Sequence, residues 1–184
     1  MKIESLAIAD VKLITPGKFG DDRGFFSETW NEKTFSNGGI SGRFVQDNHA
    51  FSATKGTLRG LHFQLPPMAQ DKLVRVTRGA ILDVAVDIRR SSPTFGRHVA
   101  AVLSAANWSQ LWVPKGFAHA YCTLEPDTEV IYKVTDYYSP AHDRGIQFDD
   151  PALGIAWPVN RATALLSDKD KLQPALASAQ AVFD

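Results

Sequence analysis

The sequence predicts an all-β fold, and two features of its pattern support this prediction. Short runs rich in β-branched, aromatic and other apolar residues follow one another along the chain, and turn-forming residues separate them. Few helical patterns lie between these runs, which argues against alternating strands and helices around a parallel sheet. A β-sandwich, a barrel or a jelly roll therefore fits the sequence better.

The predicted elements can be taken in chain order. The first strands are expected at residues 11–15, 24–30 and 43–47. The later runs are separated by Gly79 and by the turn-like stretches "SSPTFG", "SAANWS", "PKG" and "EPD". These runs are residues 57–64, 72–78, 81–88, 98–104, 110–114, 118–124 and 129–138. Short helices are expected at 31–36 and in the Ala-rich tail after Pro174.

Length and composition indicate one globular domain, 1–184. The chain has 184 residues, of which 44% are hydrophobic and 22% are charged. This length allows a sizeable core, and this composition is not that of a disordered chain. Acidic and basic residues balance at 20 each, so no net charge attracts nucleic acid or a membrane. Local cations would have to hold any anionic ligand.

The cysteine content and the N-terminal sequence indicate a cytoplasmic protein. Cys122 is the single cysteine, so it can form neither an internal disulfide nor a thiolate metal site on its own. The N-terminal segment places Glu4, Asp10 and Lys12 between its apolar positions, and it predicts neither a signal peptide nor a membrane span.

Polar side chains occur in strands that are otherwise apolar. Successive strand residues point to opposite faces, so Lys72 and Tyr132 each lie on a face that otherwise carries valine. His62 is on the face opposite Arg59, unless Gly60 marks a bulge that turns Arg59 to the same side. A closed β fold of this size can hold one small ligand, so these residues indicate an interior binding site.

Two short motifs resemble the two-part signature of the cupin double-stranded β-helix. The first, G-x5-H-x-Q, runs from Gly56 through His62 to Gln64, and the second, P-x-G-x-x-H, ends at His119. Metal-binding cupins usually have H-x-H and a glutamate in the first motif, whereas here Gln64 replaces the second histidine. Two histidines fall short of the three or four ligands that first-row metals take, so we expect no metal.

Longer motifs resemble a single enzyme family from about residue 3 to about residue 174. They are "FGDDRGFFSETW", "FVQDNHAFS", "TLRGLHFQLPPMAQDKLVRVTRGAILDVAVDIRRSSPTFG", "QLWVPKGFAHAY", "EVIYKVTDYYSP", "DDPALGIAWP" and "LLSDKD". In this order and spacing they resemble dTDP-4-dehydrorhamnose 3,5-epimerase, the metal-free cupin family of dTDP-L-rhamnose synthesis. The resemblance implies a cupin-type jelly roll, no cofactor, and dTDP-4-dehydro-6-deoxy-D-glucose as the substrate.

The family reaction inverts C3 and C5 of a sugar whose C4 ketone makes the protons on both carbons acidic. The resemblance implies that His62 is the base, that Asp170 orients it, and that Tyr132 returns a proton from the opposite face. It also places Lys72 at the C4 oxygen, where a fixed cation stabilises the enolate. Asp170 is preferred to Asp168 because the family motif pairs lysine directly with the aspartate.

The resemblance also assigns residues that bind substrate. Arg59 matches a diphosphate ligand, a role for which the guanidinium fork is suited. Further matching positions are Gln46, Asp47, Asn48, His119, Asp143 and Lys169. Asp143 stands where family members often have glutamate. Arg23 and Glu28 match residues that family members contribute to the partner's site, which implies a homodimer.

Some assignments and alternatives stay open at this point. Phe19, Phe26 and Tyr138 are candidates to stack on thymine, although most buried aromatics of such a fold belong to the core. Tyr121 replaces a usual apolar residue, and it either alters the pocket lining or simply packs. Other possible functions are an enzyme that inverts one carbon or moves the ketone, a non-catalytic sugar- or nucleotide-binding cupin, and a metal-dependent cupin oxygenase.

Overall fold

The computed structural model describes residues 1–180 and Phe183, and most of its regular structure is strand. The strands are β1 (Lys2–Ser5), β2 (Lys12–Thr15), β3 (Phe19–Asp21), β4 (Gly24–Phe26), β5 (Gln46–Ser52), β6 (Leu58–Gln64), β7 (Lys72–Arg78), β8 (Ala80–Asp87), β9 (His98–Ser104), β10 (Gln110–Val113), β11 (Phe117–Thr123), β12 (Thr128–Val134) and β13 (Asp143–Gly145). The helices are α1 (Glu32–Asn37), α2 (Asp168–Lys171) and a 3-10 turn at Leu176–Ser178.

Two antiparallel sheets form the body of the fold, as the jelly-roll prediction requires. A six-stranded sheet has the order β1-β2-β10-β7-β12-β5, and a five-stranded sheet has the order β13-β6-β11-β8-β9. The main core lies between them, since Val74 and Val130 of the first sheet pack in one cluster with Ile81 and Leu103 of the second. Burial of this apolar surface is the main stabilising contribution to the sandwich.

The five-stranded sheet is covered on both faces. Every residue of β11 is buried, and a second apolar cluster containing Leu61, Val84 and Ile146 covers the face that points away from the six-stranded sheet. A strand buried on both sides has no solvent face, so its sequence shows a continuous apolar run instead of alternation. This explains why polar residues in these strands stand out in the sequence.

Loop residues pack on the outer face of the six-stranded sheet and account for two displaced strand predictions. Residues 43–45 precede β5 instead of starting it, and Phe44 there contacts Trp30 and Trp112 edge to face. The predicted strand at 24–30 ends at Phe26 because Trp30 joins the same cluster, with Phe35 of α1. Apolar side chains in these two segments therefore serve loop packing.

Other differences concern short or polar elements. The sequence did not predict β1, β3, β13 or α2, which have only three or four residues each. β12 ends at Val134, four residues before the predicted end at 138. The expected tail helix is only the 3-10 turn, and positions 181, 182 and 184 lie outside the described residues. Within the described residues, no helix is long and apolar enough to span a membrane.

Candidate active site

A bulge in β6 turns Arg59 to the same side as His62. On the neighbouring strand β11, His119 pairs with His62 and Tyr121 pairs with Arg59, so one residue of β11 lies opposite two residues of β6. Gly60 is one of the two, and its φ of 119° lies in a region that side chains rarely adopt. A Cβ there would come within 2.5 Å of the His119 carbonyl oxygen, so glycine is required at this position. The bulge on which the orientation of Arg59 depended in the sequence analysis is therefore present.

Arg59 and His62 open onto a cleft between the two sheets. A cavity of about 480 Å³ is lined by Ala50, Thr57, Leu58, Arg59, His62, Lys72, His119, Tyr121, Tyr132, Leu165, Leu166, Ser167 and Asp170. A neighbouring cavity of about 300 Å³ is lined by Gln46, Asn48, His62, Phe63, Gln64, Gln70, Lys72, Tyr132, Tyr138, Asp143 and Lys169. His62, Lys72 and Tyr132 line both, so the cavities form one cleft with these three side chains at its centre.

His62 and Asp170 form a close pair in the larger cavity. The distance from His62 Nε2 to Asp170 Oδ1 is 2.5 Å, and Asp170 is buried. Burial alone would raise the pKa of Asp170, but the hydrogen bond and charge of His62, with the Ser167 hydroxyl and Lys169, lower it overall. Asp170 is therefore a carboxylate at neutral pH and can orient the imidazole as it gains a proton.

The helix α2 brings Asp170 to His62 across 108 positions of sequence. Leu165 forms a parallel bridge with Thr57 at the start of β6, which places the following helix beside that strand. Ser167 caps α2 by accepting a hydrogen bond from the Asp170 backbone N–H, and its hydroxyl donates to Asp170 Oδ2 at 2.8 Å. Sequence reasoning missed Ser167, although the spacing S-x-x-D is a recognisable N-cap signal. Asp168, by contrast, is exposed and pairs with Lys171.

Lys72 lies on β7, beside the strand of Tyr132, and its side chain extends toward the facing sheet that carries His62. Its Nζ donates to the His62 backbone carbonyl at 3.3 Å. Burial lowers the pKa of Lys72 from 10.5 to about 8, although Asp143 and Asp83 act in the opposite direction. The amine is therefore mostly protonated at neutral pH, but it loses its charge far more readily than an exposed lysine.

Tyr132 faces His62 from the opposite sheet. It lies on β12 between Val74 of β7 and Asn48 of β5, whereas His62 lies on β6 of the five-stranded sheet. Burial raises the pKa of Tyr132, and the positive charge of Arg59 opposes this effect. The phenol is therefore protonated at neutral pH and can donate a proton or a hydrogen bond.

His119 belongs to a second histidine–aspartate pair that the sequence did not reveal. The distance from His119 Nε2 to Asp83 Oδ1 is 2.5 Å, and both side chains are buried. The signal in the sequence was an aspartate inside the apolar run 81–88, since a buried carboxylate needs a partner. His119 lines the cleft with its ring held by Asp83.

Tyr121 both lines the cleft and packs in the main core. It is 4% exposed and belongs to the core cluster between the sheets. Its hydroxyl has no hydrogen-bond partner among the described residues, and neither has Asp83 Oδ2, although the two residues are directly paired across β11 and β8. Burial raises the pKa of Tyr121, so the phenol stays protonated.

The "QDN" residues of β5 separate onto two faces. Gln46 and Asn48 line the smaller cavity and bond to each other, with Gln46 Nε2 donating to Asn48 Oδ1 at 2.8 Å. Asp47 points to the other face of the sheet, where Lys133 donates to its carboxylate at 2.9 Å. Its side chain therefore does not reach the cleft, as strand alternation requires.

Asp143, Lys169 and Tyr138 form a polar cluster at the far end of the smaller cavity. Lys169 Nζ forms an ion pair with Asp143 Oδ2, and the Tyr138 hydroxyl donates to the same oxygen at 3.1 Å. The Tyr138 ring is 56% exposed, so one of its faces is open to a ligand. These three residues could hold the uncharged base of a nucleotide by stacking and hydrogen bonds.

The hairpin β3–β4 and the residues after it lie outside the cleft of their own chain. Arg23 at its turn is exposed and bonds to Asp21, and Glu28 accepts a hydrogen bond from Asn31. Phe19 and Phe26 are paired across the hairpin and are 68% and 70% exposed. A paired set of exposed aromatics next to a cation is a surface that can contact another subunit.

Gln64 occupies the position where metal-binding cupins carry a histidine, and its amide is fully used within the protein. Its Nε2 donates to the carbonyls of Met68 and Tyr137, and its Oε1 accepts from the Ser139 backbone N–H. Within residues 1–180 and 183, no group of three histidine, cysteine, aspartate or glutamate side chains is close enough to hold a metal ion.

Comparison with known proteins shows which family this chain resembles. The family model "dTDP-4-dehydrorhamnose 3,5-epimerase" matches residues 5–178. A curated dTDP-4-dehydrorhamnose 3,5-epimerase from Sinorhizobium fredii is 56% identical over 183 residues, which cover 100% of this chain and 93% of that protein.

Solved structures that resemble this chain belong to the same enzyme family. A Bacillus anthracis dTDP-4-dehydrorhamnose 3,5-epimerase with TDP and PPi bound has a TM-score of 0.91 and 52% identity, and the match covers 95% of this chain and 98% of that one. A Legionella pneumophila dTDP-6-deoxy-D-glucose-3,5-epimerase in complex with dTDP-4-keto-L-rhamnose has a TM-score of 0.91 and 45% identity, with coverage of 96% and 93%. The chain therefore belongs to the dTDP-4-dehydrorhamnose 3,5-epimerase family.

Proposed function

We propose that the protein epimerises dTDP-4-dehydro-6-deoxy-D-glucose at C3 and C5 to give dTDP-4-dehydro-L-rhamnose. The observation that carries this proposal is the central arrangement of the cleft. A histidine paired with a carboxylate lies on one sheet, a protonated tyrosine lies on the facing sheet, and a lysine beside the tyrosine extends toward the histidine. Inversion of a carbon next to a ketone needs a base, an acid on the other face and a cation for the enolate.

The steps follow from these positions. His62 removes the proton from C5 or C3, and the electron pair of the broken C–H bond moves onto the C4 oxygen. The Lys72 ammonium stabilises this enolate, while the Asp170 carboxylate stabilises the imidazolium that forms. Tyr132 then donates its proton to the same carbon from the opposite face, and the phenolate regains a proton from solvent. His62 returns its proton to solvent before the second carbon reacts.

The nucleotide portion is held by side chains around the central site. Arg59 supplies a guanidinium for the diphosphate, and the smaller cavity supplies Tyr138 and the Asp143–Lys169 pair for the base. We further propose a cytoplasmic homodimer in which Arg23 and Glu28 reach the partner's cleft. Both residues are exposed, and neither lines the cleft of its own chain, which supports this arrangement.

The test is the NMR spectrum of the product formed in D2O. The wild-type enzyme should give inversion and deuterium at both C3 and C5. Inversion at only one carbon would identify a monoepimerase, and absence of any turnover with retained dTDP binding would identify a non-catalytic binding protein.

Two variants separate the roles of base and acid. His62→Asn should abolish deuterium incorporation at both carbons because the enolate no longer forms. Tyr132→Phe should still incorporate deuterium, but inversion should slow by about 10²–10⁴-fold because the acid on the opposite face is missing. Rapid exchange in His62→Asn, or near wild-type inversion in Tyr132→Phe, would show that these assignments are wrong.

A further inference from the structure

The backbone of residues 136–139, just after β12, is held by glutamine side chains from elsewhere in the chain. Gln70 Nε2 donates to the Asp136 carbonyl at 2.7 Å, and Gln64 Nε2 donates to the Tyr137 carbonyl at 3.1 Å. The backbone N–H of Tyr138 donates to Gln46 Oε1 at 3.2 Å, and that of Ser139 donates to Gln64 Oε1 at 2.7 Å. We name Gln46, Gln64 and Gln70 the glutamine clamp.

These hydrogen bonds fix the backbone of a loop in one position, as ladder hydrogen bonds do for a strand. Loop backbone groups usually bond to water and remain mobile, whereas each residue of 136–139 has a side-chain partner here. A glutamine amide suits the task because it both donates and accepts, and Gln64 uses both functions while 4% exposed. The three glutamines also line the smaller cavity, so the clamp forms part of the cleft wall.

The clamped segment carries the ring that closes the smaller cavity. Tyr138 reaches from this segment to Asp143, which in turn pairs with Lys169. A shift of the 136–139 backbone would therefore move both the Tyr138 ring and the hydrogen bond that orients Asp143. Small displacements of such positioning groups have large effects on binding and rate.

We infer that Gln64 and Gln70 are positioning residues that preset the Tyr138 wall of the cleft for the nucleotide portion of the substrate. This inference rests on the proposed epimerase function. It also gives Gln46 a structural role beside the expected substrate contact, since its amide is bonded to Tyr138 and Asn48. Gln64 stands in the first motif, where metal-binding cupins carry a histidine. In this inference it acts on substrate binding and not on the reacting carbons.

The experiment compares Gln64→Met and Gln70→Met with Gln110→Met as a matched control. Methionine keeps the length of the side chain and removes the amide. Gln110 is also buried and donates to a backbone carbonyl, that of Thr29 at 3.0 Å, but it lies on the outer face of the six-stranded sheet, away from the cleft. Each variant is measured for melting temperature, for the Kd of dTDP by calorimetry, and for KM and kcat with the sugar nucleotide.

The two clamp variants should weaken dTDP binding and raise KM by about tenfold or more, with a much smaller change in kcat. Gln110→Met should lower the melting temperature and leave Kd and KM at wild-type values. If Gln64→Met does not fold, Gln70→Met still decides, because Gln70 is only half-buried and makes one bond to the segment.

The outcomes separate this inference from the proposed function. Wild-type turnover with clamp variants whose Kd and KM equal those of Gln110→Met would overturn the clamp and leave the epimerase intact. Wild-type protein that binds dTDP without turnover would overturn the epimerase, and the dTDP affinities of the variants would still test the clamp. Loss of kcat with unchanged KM would also contradict a role in binding.

Discussion

Lys72 should give the enzyme an alkaline pH limit well below that of an ordinary lysine. In the proposed mechanism its ammonium stabilises the enolate, and burial lowers its pKa to about 8. Raising the pH through this value converts the ammonium to a neutral amine. Because the pKa is that of the free enzyme, the effect belongs to kcat/KM.

The size of the effect follows from the titration. At pH 9 a group with a pKa near 8 is about one-tenth protonated, whereas a lysine with a pKa near 10.4 is almost fully protonated. We therefore expect kcat/KM to be about half-maximal at pH 8 and to fall about tenfold for each further pH unit. The alkaline fall in kcat should lie at higher pH than the fall in kcat/KM, since the negative diphosphate of the bound substrate favours the charged amine in the enzyme–substrate complex.

The assay is the initial rate at low substrate concentration between pH 6 and 10, for wild type and two variants. Lys72→Arg keeps a positive charge throughout this range, so its kcat/KM should not fall near pH 8. Lys72→Met should lose about 10²–10³-fold in kcat and should show no fall there. A wild-type profile that stays flat to pH 10, or a Lys72→Met enzyme with the same fall, would refute the reasoning.

Three further outcomes are expected. Tyr121→Phe should raise the free energy of unfolding in urea by about 1–2 kcal/mol, because it removes a buried hydroxyl that has no partner among the described residues; a loss of stability would mean that the hydroxyl is bonded. Arg23→Ala should raise KM about tenfold without changing the melting temperature, since in the proposed homodimer the partner's cleft loses a cation; an unchanged KM, or a fully active monomer in sedimentation, would rule this out. Dialysis against EDTA should leave kcat unchanged, and activity lost with EDTA and regained with zinc, iron or manganese would show a metal enzyme.

The sequence predicted some strands to the residue and misplaced others for a physical reason. The strands β7 and β9 have the predicted bounds, because clear turn residues flank both runs. The predictions at 24–30 and 43–47 were displaced because Trp30 and Phe44 are apolar for packing on the outer sheet face. Periodicity alone does not distinguish a strand from a loop that buries its side chains.

In the site, too, some features could be predicted from the sequence, and others are visible only in the structure. Gly60 raised the possibility of a bulge that brings Arg59 beside His62, and the structure contains this bulge. The pairing of His119 with Asp83 was not predictable, since it depends on the register between the neighbouring strands β11 and β8 and not on spacing along one strand. Asp47 matched a binding motif but faces the other side of its strand, so a motif match does not ensure that each member reaches the ligand.

The layered architecture accounts for inversion as the outcome of the chemistry. The two sheets face each other, and the cavity of about 480 Å³ between them has room for one sugar ring between side chains of opposite walls. His62 projects from the five-stranded sheet and Tyr132 from the six-stranded sheet, so a ring between them presents opposite faces to base and acid. Since both residues are in the interior of long strands, their separation is fixed by the packing of the core. A proton removed by one wall and returned by the other must invert the carbon, whichever of the two carbons lies between them.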